Sequence, residues 1–227
     1  MLLLLCLLVP GAATAAPQTA AARSLSTNAP DPARWAQAIE AFEKADRVSP
    51  PAEGGIVFVG SSSIRRWSRL EQDFRGLPVT NRGFGGSQLP EVIAFADRII
   101  LPYAPRQVVV YCGANDIANG RRPEQVVADF QQLVSIVQAK LPQTRVAFIS
   151  VAPNPARWEQ VAEVRAANQA VAAWAAGQPH VEYIDVFTHM LGPDGLPKPD
   201  IFVEDRLHLN EKGYALWRSI IQPFLRP

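Results

Sequence analysis

Four short polar stretches of this chain carry side chains that can do chemistry together. In "EDRLHLN" (204–210), Asp205 stands three residues before His208, one of three histidines in 227 residues. On a helical turn or tight loop that spacing lets the two side chains meet. A carboxylate bonded to one imidazole nitrogen fixes the tautomer and leaves the other nitrogen free as a base. A base of this kind suits a serine, whose hydroxyl is a weak nucleophile until its proton is taken. "IVFVGSSSIRRW" (56–67) offers Ser61, Ser62 and Ser63 directly after an apolar run. Attack on a carbonyl also needs hydrogen-bond donors aimed at the oxyanion of the transition state. A serine at a strand-to-helix turn can supply its own N–H. The glycines of "NRGFGGSQ" (81–88) permit close backbone approach. Asn115, in "GANDIANG" (113–120), can donate through its amide. Singly, each stretch reads as an ordinary polar turn or an exposed Asp–His pair. As a set they supply nucleophile, base, orienter and donors.

The elements that must hold these groups are legible in the hydrophobic pattern. Continuous apolar runs over 55–60, 107–113 and 145–151 read as strands, with weaker ones over 77–83 and 181–186. Helical patterns lie near 89–100, 123–140 and 157–176, and a last helix follows Asn210, an N-cap candidate. Nearer the N-terminus, Asp31-Pro32 looks like an N-cap followed by proline at the first helical position. Trp35, Ile39 and Phe42 then form an apolar stripe expected to dock on the main body. Apolar strands alternating with helices predict an α/β fold, a parallel sheet covered on both faces. In such sheets ligands bind just past the carboxyl ends of strands. Three of the polar stretches follow the first three strands, and the fourth precedes the final helix.

Composition narrows the class of function. Hydrophobic residues make up 48% and charged residues 19%, and the formal net charge is +1. That is a globular balance with no basic field for a polyanion, so nucleic acid is not an expected partner. "MLLLLCLLVPGAATAA" (1–16) reads as a secretory signal peptide, with cleavage near Ala15 or Ala16. The run is too short to span a bilayer. No Lys or Arg precedes it, which departs from the usual signal pattern. A secreted or periplasmic protein is expected, without stable membrane insertion after cleavage. Residues 17–50 then form a flexible N-terminus plus the docking helix, and 51–227 a single catalytic domain. Cleavage leaves Cys112 as the one cysteine, expected to pack as a small buried hydrophobe.

With these residues in view, the chain resembles the SGNH hydrolases, the GDSL-type esterases and lipases. The first-block pattern is similar to Gly60-Ser61-Ser62-Ser63, the second-block glycine to Gly86, the third block to Gly113-Ala114-Asn115-Asp116, and the last to Asp205 with His208. The blocks keep the family order over about residues 55–215. The resemblance implies a flavodoxin-like three-layer α/β/α sandwich with a mostly parallel five-stranded sheet, and ester hydrolysis without a cofactor. It further implies Ser62 as nucleophile, Asp205 and His208 completing the triad, and an oxyanion hole of Ser62, Gly86 and Asn115. Two positions depart from the pattern. Ser61 stands where the family has Asp, and Ser63 where it has a hydrophobic residue, so Ser61 and Ser63 stay as alternative nucleophiles.

The neighbouring residues invite weaker expectations. Arg65, Arg66 and Arg206 are close in sequence to these loops and are candidates to hold an acidic group or a sugar hydroxyl of the substrate. Trp67 is expected in the core, and Asp116 is expected to brace its own loop by local hydrogen bonds. No His, Cys or carboxylate pair has metal-ligand spacing, so no metal is expected. "GFGG" fails the dinucleotide pattern, because Gln88 takes the place of its last glycine. The expected substrate is a small-molecule or carbohydrate ester with a short acyl chain. A lysophospholipase or thioesterase, and a non-catalytic carbohydrate- or lipid-binding protein on the same fold, are the alternatives.

Overall fold

The computed structural model describes residues 29–227. The signal segment expected over 1–16, and residues 17–28, lie outside the described residues. Five strands form one sheet: β1 (Ile56–Gly60), β2 (Val79–Gly83), β3 (Gln107–Tyr111), β4 (Arg145–Ile149) and β5 (Val181–Ile184). Their order is β2-β1-β3-β4-β5, and every pairing is parallel. The sheet is therefore fully parallel, where the resemblance implied a mostly parallel one.

Alternate residues of a strand point to opposite faces, and here both faces are dry. Val57, Val59, Val108, Val110, Val146 and Phe148 enter one core layer, while Ile56, Phe58, Val109, Tyr111, Ala147 and Ile149 enter the other. Burial on both sides is why the strands read as unbroken apolar runs. The first layer is covered by α1 (Ala36–Val48) and, beyond α2 (Ser62–Arg65) and α3 (Leu70–Asp73), by α4 (Leu89–Ala94), α5 (Ala96–Ile99), α7 (Pro123–Lys140) and α8 (Val161–Ala175). The short α6 (Ala114–Ala118) opens the turn after β3. The second layer is covered by α2, α3 and α9 (Glu211–Ile221). There Trp67 is buried against Phe74, Tyr214 and Trp217, with ring centroids 5.4, 5.1 and 6.1 Å away. This aromatic cluster fixes α9 against the segment that follows α2 and runs through α3.

Two helices expected as single runs are divided. The 89–100 pattern breaks at Phe95 into α4 and α5. The 157–176 pattern begins as a 3-10 helix, Pro155–Gln160, kinked at Arg157 (φ −131°), and becomes α-helical at Val161. Asn154 caps this turn by accepting from the Arg157 N–H at 2.9 Å, and local capping wins over the helical period of the apolar residues. At the N-terminus, Asp31 caps as its spacing predicts, accepting from the Ala33 N–H at 3.0 Å with Pro32 next.

The strand order places a switch point between β1 and β3. From β1 the chain moves outward to β2, then returns past β1 to β3. Loops leaving β1 and β3 therefore diverge and open a crevice at the carboxyl ends of the strands. The polar stretches 60–65 and 113–118 lie there.

Candidate active site

The turn after β1 is built on Gly60. Its φ is 131°, and a Cβ there would stand 1.9 Å from the Tyr111 carbonyl oxygen. Only glycine lets β1 and β3 stay paired to this point while the chain turns into α2. Ser61 then sits in extended backbone as the N-cap, its N–H bonded to the Tyr111 carbonyl at 3.1 Å. Ser62 is the first residue of α2, where a backbone N–H has no helical acceptor.

Of the three serines, Ser62 is the one that meets the base. Its Oγ lies 2.8 Å from His208 Nε2. Ser61 and Ser63 are buried, at 3% and 8% exposure. Across the imidazole, Nδ1 lies 2.6 Å from Asp205 Oδ2. The other carboxylate oxygen accepts from the N–H groups of Leu207 and His208, each at 2.9 Å. Partial burial opposes ionisation of Asp205. The His208 N–H, the imidazole and the Leu207 N–H outweigh it and hold the carboxyl at about 2. The loop that carries the pair is pinned from both sides. Asn210 caps α9 by accepting from Gly213 at 3.1 Å, and Tyr214 on α9 donates to the Ser63 carbonyl at 2.8 Å. Residues 146 apart in sequence are thereby held at hydrogen-bond distance.

The donors come from the next two loops. Asn115 lies on α6, with Nδ2 donating to the Ser87 carbonyl at 3.2 Å. A Cβ added to Gly86 would lie 3.7 Å from that nitrogen, so the amide stands directly over Gly86. Among the described residues the N–H groups of Ser62 and Gly86 have no protein acceptor. Asp116 braces its own loop, as expected, through its own backbone N–H, and also reaches beyond it. Its fully buried carboxylate accepts from the Leu89 N–H at 2.9 Å and lies 3.8 Å from Arg121, so it ties the Asn115 loop to the Gly86 loop. Burial raises its carboxyl to about 6.

A cavity of about 20 Å³ opens beside Ser62, lined by Tyr111, Asn115, Ala152, Arg157, His208 and neighbours. That is room for one or two water-sized groups. Burial raises the Tyr111 hydroxyl to about 12, so it stays protonated at the floor. Arg65 and Arg206 are exposed and lie outside this lining, so the structure does not bring them to the candidate site. Arg66 is exposed, with Nη1 3.8 Å from Asp205 Oδ2, and forms part of a second groove of about 650 Å³ with Arg69, Lys212 and Arg218.

The arginine that does reach the cavity is Arg157, which the sequence reading passed over. It follows β4, whose carboxyl end is also at the functional edge of the sheet, and "APNPARW" (152–158) was the signal available. The N-terminal segment docks on the body as its apolar stripe predicts, with Ile39 in the core and Trp35 and Phe42 against it. Trp35 lies where a Cβ of Gly85 would be, 1.8 Å away, and Arg34 reaches the Gly86 carbonyl at 3.4 Å and Glu91 at 3.1 Å. Nothing in the local pattern of 31–42 foretells that it buttresses this loop. Among the described residues no group of three or more His, Cys, Asp or Glu side chains is placed to hold a metal.

The arrangement can pass a proton from a serine hydroxyl to an oriented imidazole while an oxyanion forms beside backbone and amide donors. Comparisons with known proteins agree with that chemistry. The GDSL-like Lipase/Acylhydrolase family matches residues 52–216. The chain is similar to the platelet-activating factor acetylhydrolase IB subunit alpha1 of Bos taurus, 30% identical over 177 residues covering 74% of this chain and 73% of that protein. Among solved structures, a GDSL-like lipase from Bacteroides thetaiotaomicron superposes with a TM-score of 0.69 at 18% identity, covering 82% of this chain and 96% of the other. Axe2, an acetylxylan esterase from Geobacillus stearothermophilus, superposes at 0.61 and 13% identity, covering 76% and 94%. At such identities the two structures attest the fold alone.

Proposed function

The chain belongs to the GDSL-like lipase/acylhydrolase family and is a serine ester hydrolase, and on that premise we propose that it removes short acyl groups, acetyl foremost, from small-molecule or carbohydrate esters through an acyl-enzyme on Ser62. The contact that carries this reading is Ser62 Oγ to His208 Nε2 at 2.8 Å, with Asp205 on the far ring nitrogen at 2.6 Å. His208 takes the Ser62 proton as Oγ attacks the ester carbonyl. The N–H groups of Ser62 and Gly86 and the Asn115 amide hold the oxyanion. His208 then protonates the departing alcohol. Water, deprotonated by the same imidazole, releases the acid and restores the serine.

The preference for a short acyl group rests on the cavity of about 20 Å³ beside Ser62, which has no room for a long alkyl chain. The name of the similar acetylhydrolase points the same way. The wider groove of about 650 Å³ next to Asp205, lined by Arg66, Arg69 and Lys212, suits a polar alcohol part. The signal-like segment 1–16 supports a substrate met outside the cytosol.

Hydrolysis of p-nitrophenyl esters from acetate to palmitate, alongside acetylated sugars, tests the proposal. Wild type should act best on acetate, and Ser62→Ala should abolish turnover. Surviving activity in Ser62→Ala would move the nucleophile elsewhere, and a preference for long chains would overturn the short-acyl assignment.

A further inference from the structure

We propose that Arg157 is a positioning residue that sets which way the Asn115 amide faces. The inference rests on the reading of Asn115 as an oxyanion donor.

The argument begins with what each group can do. A carboxamide has one end that only accepts and one that only donates, and the two are nearly the same shape. An Asn therefore aims its N–H groups at an oxyanion only if something distinguishes its ends. Here Nδ2 donates one N–H to the Ser87 carbonyl at 3.2 Å, and Oδ1 accepts from Arg157 Nη1 at 3.1 Å. The Ser87 oxygen can only accept, and the guanidinium can only donate. Turning the amide over would place two acceptors together at Ser87 and two donors together at Arg157. The second N–H of Nδ2 is then left over Gly86, whose added Cβ would lie 3.7 Å from that nitrogen. Donation into Oδ1 by a charged group also polarises the amide and strengthens its N–H donors.

Arg157 is itself held in place. Its N–H is bonded to Asn154 Oδ1 at 2.9 Å, and the chain kinks at this residue. Nη1 also reaches the Ala114 carbonyl at 3.2 Å, so the guanidinium spans the start of α6. One residue earlier, the Ala156 N–H donates to the Arg206 carbonyl at 3.2 Å, beside Asp205 and His208. The loop after β4 thus joins the Asn115 loop to the Asp–His loop. Among the described residues, Arg157 is the donor to Asn115 Oδ1.

The test is a double-mutant cycle read in kcat and KM on p-nitrophenyl acetate, with Arg157→Met, Asn115→Ala and the pair. Removing an oxyanion donor costs about 10²–10³ in kcat. A donor that remains but is no longer aimed should lose part of that, so Arg157→Met should lower kcat by about 10–100-fold and leave KM within about threefold. In the Asn115→Ala background the same change should alter kcat by less than about twofold, since there is no amide left to aim. Arg157→Lys, which keeps one cationic donor, should fall between wild type and Arg157→Met. If Arg157→Met does not fold, Arg157→Lys in the same two backgrounds decides the matter by the same coupling. Losses that multiply in the double mutant, a loss confined to KM, or wild-type kcat in Arg157→Met with a crippled Asn115→Ala would each overturn the role. Wild-type turnover by Asn115→Ala would instead overturn the oxyanion reading and this inference with it.

Discussion

At the residue scale, the Asp205–His208 pair makes a definite statement about acid. Asp205 accepts two backbone N–H groups and one imidazole N–H, and its carboxyl is held at about 2. It is therefore the carboxylate across the whole range in which an imidazole titrates. Asp205 should add no step to kcat/KM near pH 4. For stability the sign is that of a depressed acid. The contribution is present above the unfolded Asp value of 3.8, and is lost only as pH falls toward about 2. Asp205→Asn should keep the loop, because an amide oxygen still accepts from Leu207 and His208. It should lose the preferred tautomer and drop kcat by about 10⁴-fold, the magnitude seen when the acid of such a triad is neutralised. Steady-state kinetics from pH 4 to 9, with circular dichroism on the same samples, would check both. A kcat within tenfold of wild type would show that the carboxylate does not serve the imidazole.

At the element scale, the decisive fact is that the 3-10 turn Pro32–Trp35 backs the Gly86 loop of the candidate site. Trp35 packs edge-on to Phe84 at 5.7 Å and occupies the space above Gly85. Glu91, fully buried, accepts from the Asp31 and Gln88 N–H groups at 3.0 and 2.8 Å and pairs with Arg34. The Gly86 loop is thus clamped between the N-terminal segment and α4. Gly85 has φ +44° and a Trp35 ring atom 1.8 Å from where a Cβ would be. Gly85→Ala should destabilise the protein by about 2–4 kcal/mol from backbone strain and overlap together. Adding Trp35→Ala should relieve the overlap but not the strain, so the double mutant should be more stable than the sum of the single losses predicts. Urea unfolding of the four proteins measures this. Simple additivity would mean that the ring and the loop are not in contact in solution.

At the scale of the whole molecule, one buried acid couples the site to global stability. Asp116 is fully buried, accepts from Leu89 and is raised to about 6. A raised acid stabilises the fold when neutral. That contribution is fully present below the unfolded value of 3.8 and is lost as pH rises through about 6. Asp116→Asn keeps an acceptor for the Leu89 N–H and does not titrate. Between pH 4 and 7 wild type should therefore lose stability relative to Asp116→Asn by up to about 3 kcal/mol, the free energy of a shift of about two units. Denaturant unfolding at several pH values reads the difference directly. A wild type that gains stability relative to Asp116→Asn as pH rises would mean that Arg121, 3.8 Å away, outweighs burial.

The amino-acid sequence by itself determined the three central strands and their burial on both faces, because their apolar runs are continuous, while β2 and β5, partly exposed, left weaker signals. It also determined which loops carry polar chemistry, since Gly60, Gly86, Asn115, Asp205 and His208 stand where apolar periodicity stops. Local signals served for Asp31 and Asn210, whose caps act within three residues. Tertiary structure alone decided the rest. Among three adjacent serines, block position favours Ser62 and leaves Ser61 and Ser63 as alternatives, and it is Ser62 that His208 approaches from 146 residues away. Arg65 and Arg206 are near the motifs in sequence and outside the cavity in space, while Arg157, 42 residues from Asn115, touches it. The cause is physical. Strand and cap propensities are set by neighbours along the chain, but a hydrogen bond between loops depends on the order of strands in the sheet. In this molecule the parallel order β2-β1-β3-β4-β5 gathers the loops leaving β1, β2, β3 and β4 at one edge, where the loop before α9 joins them.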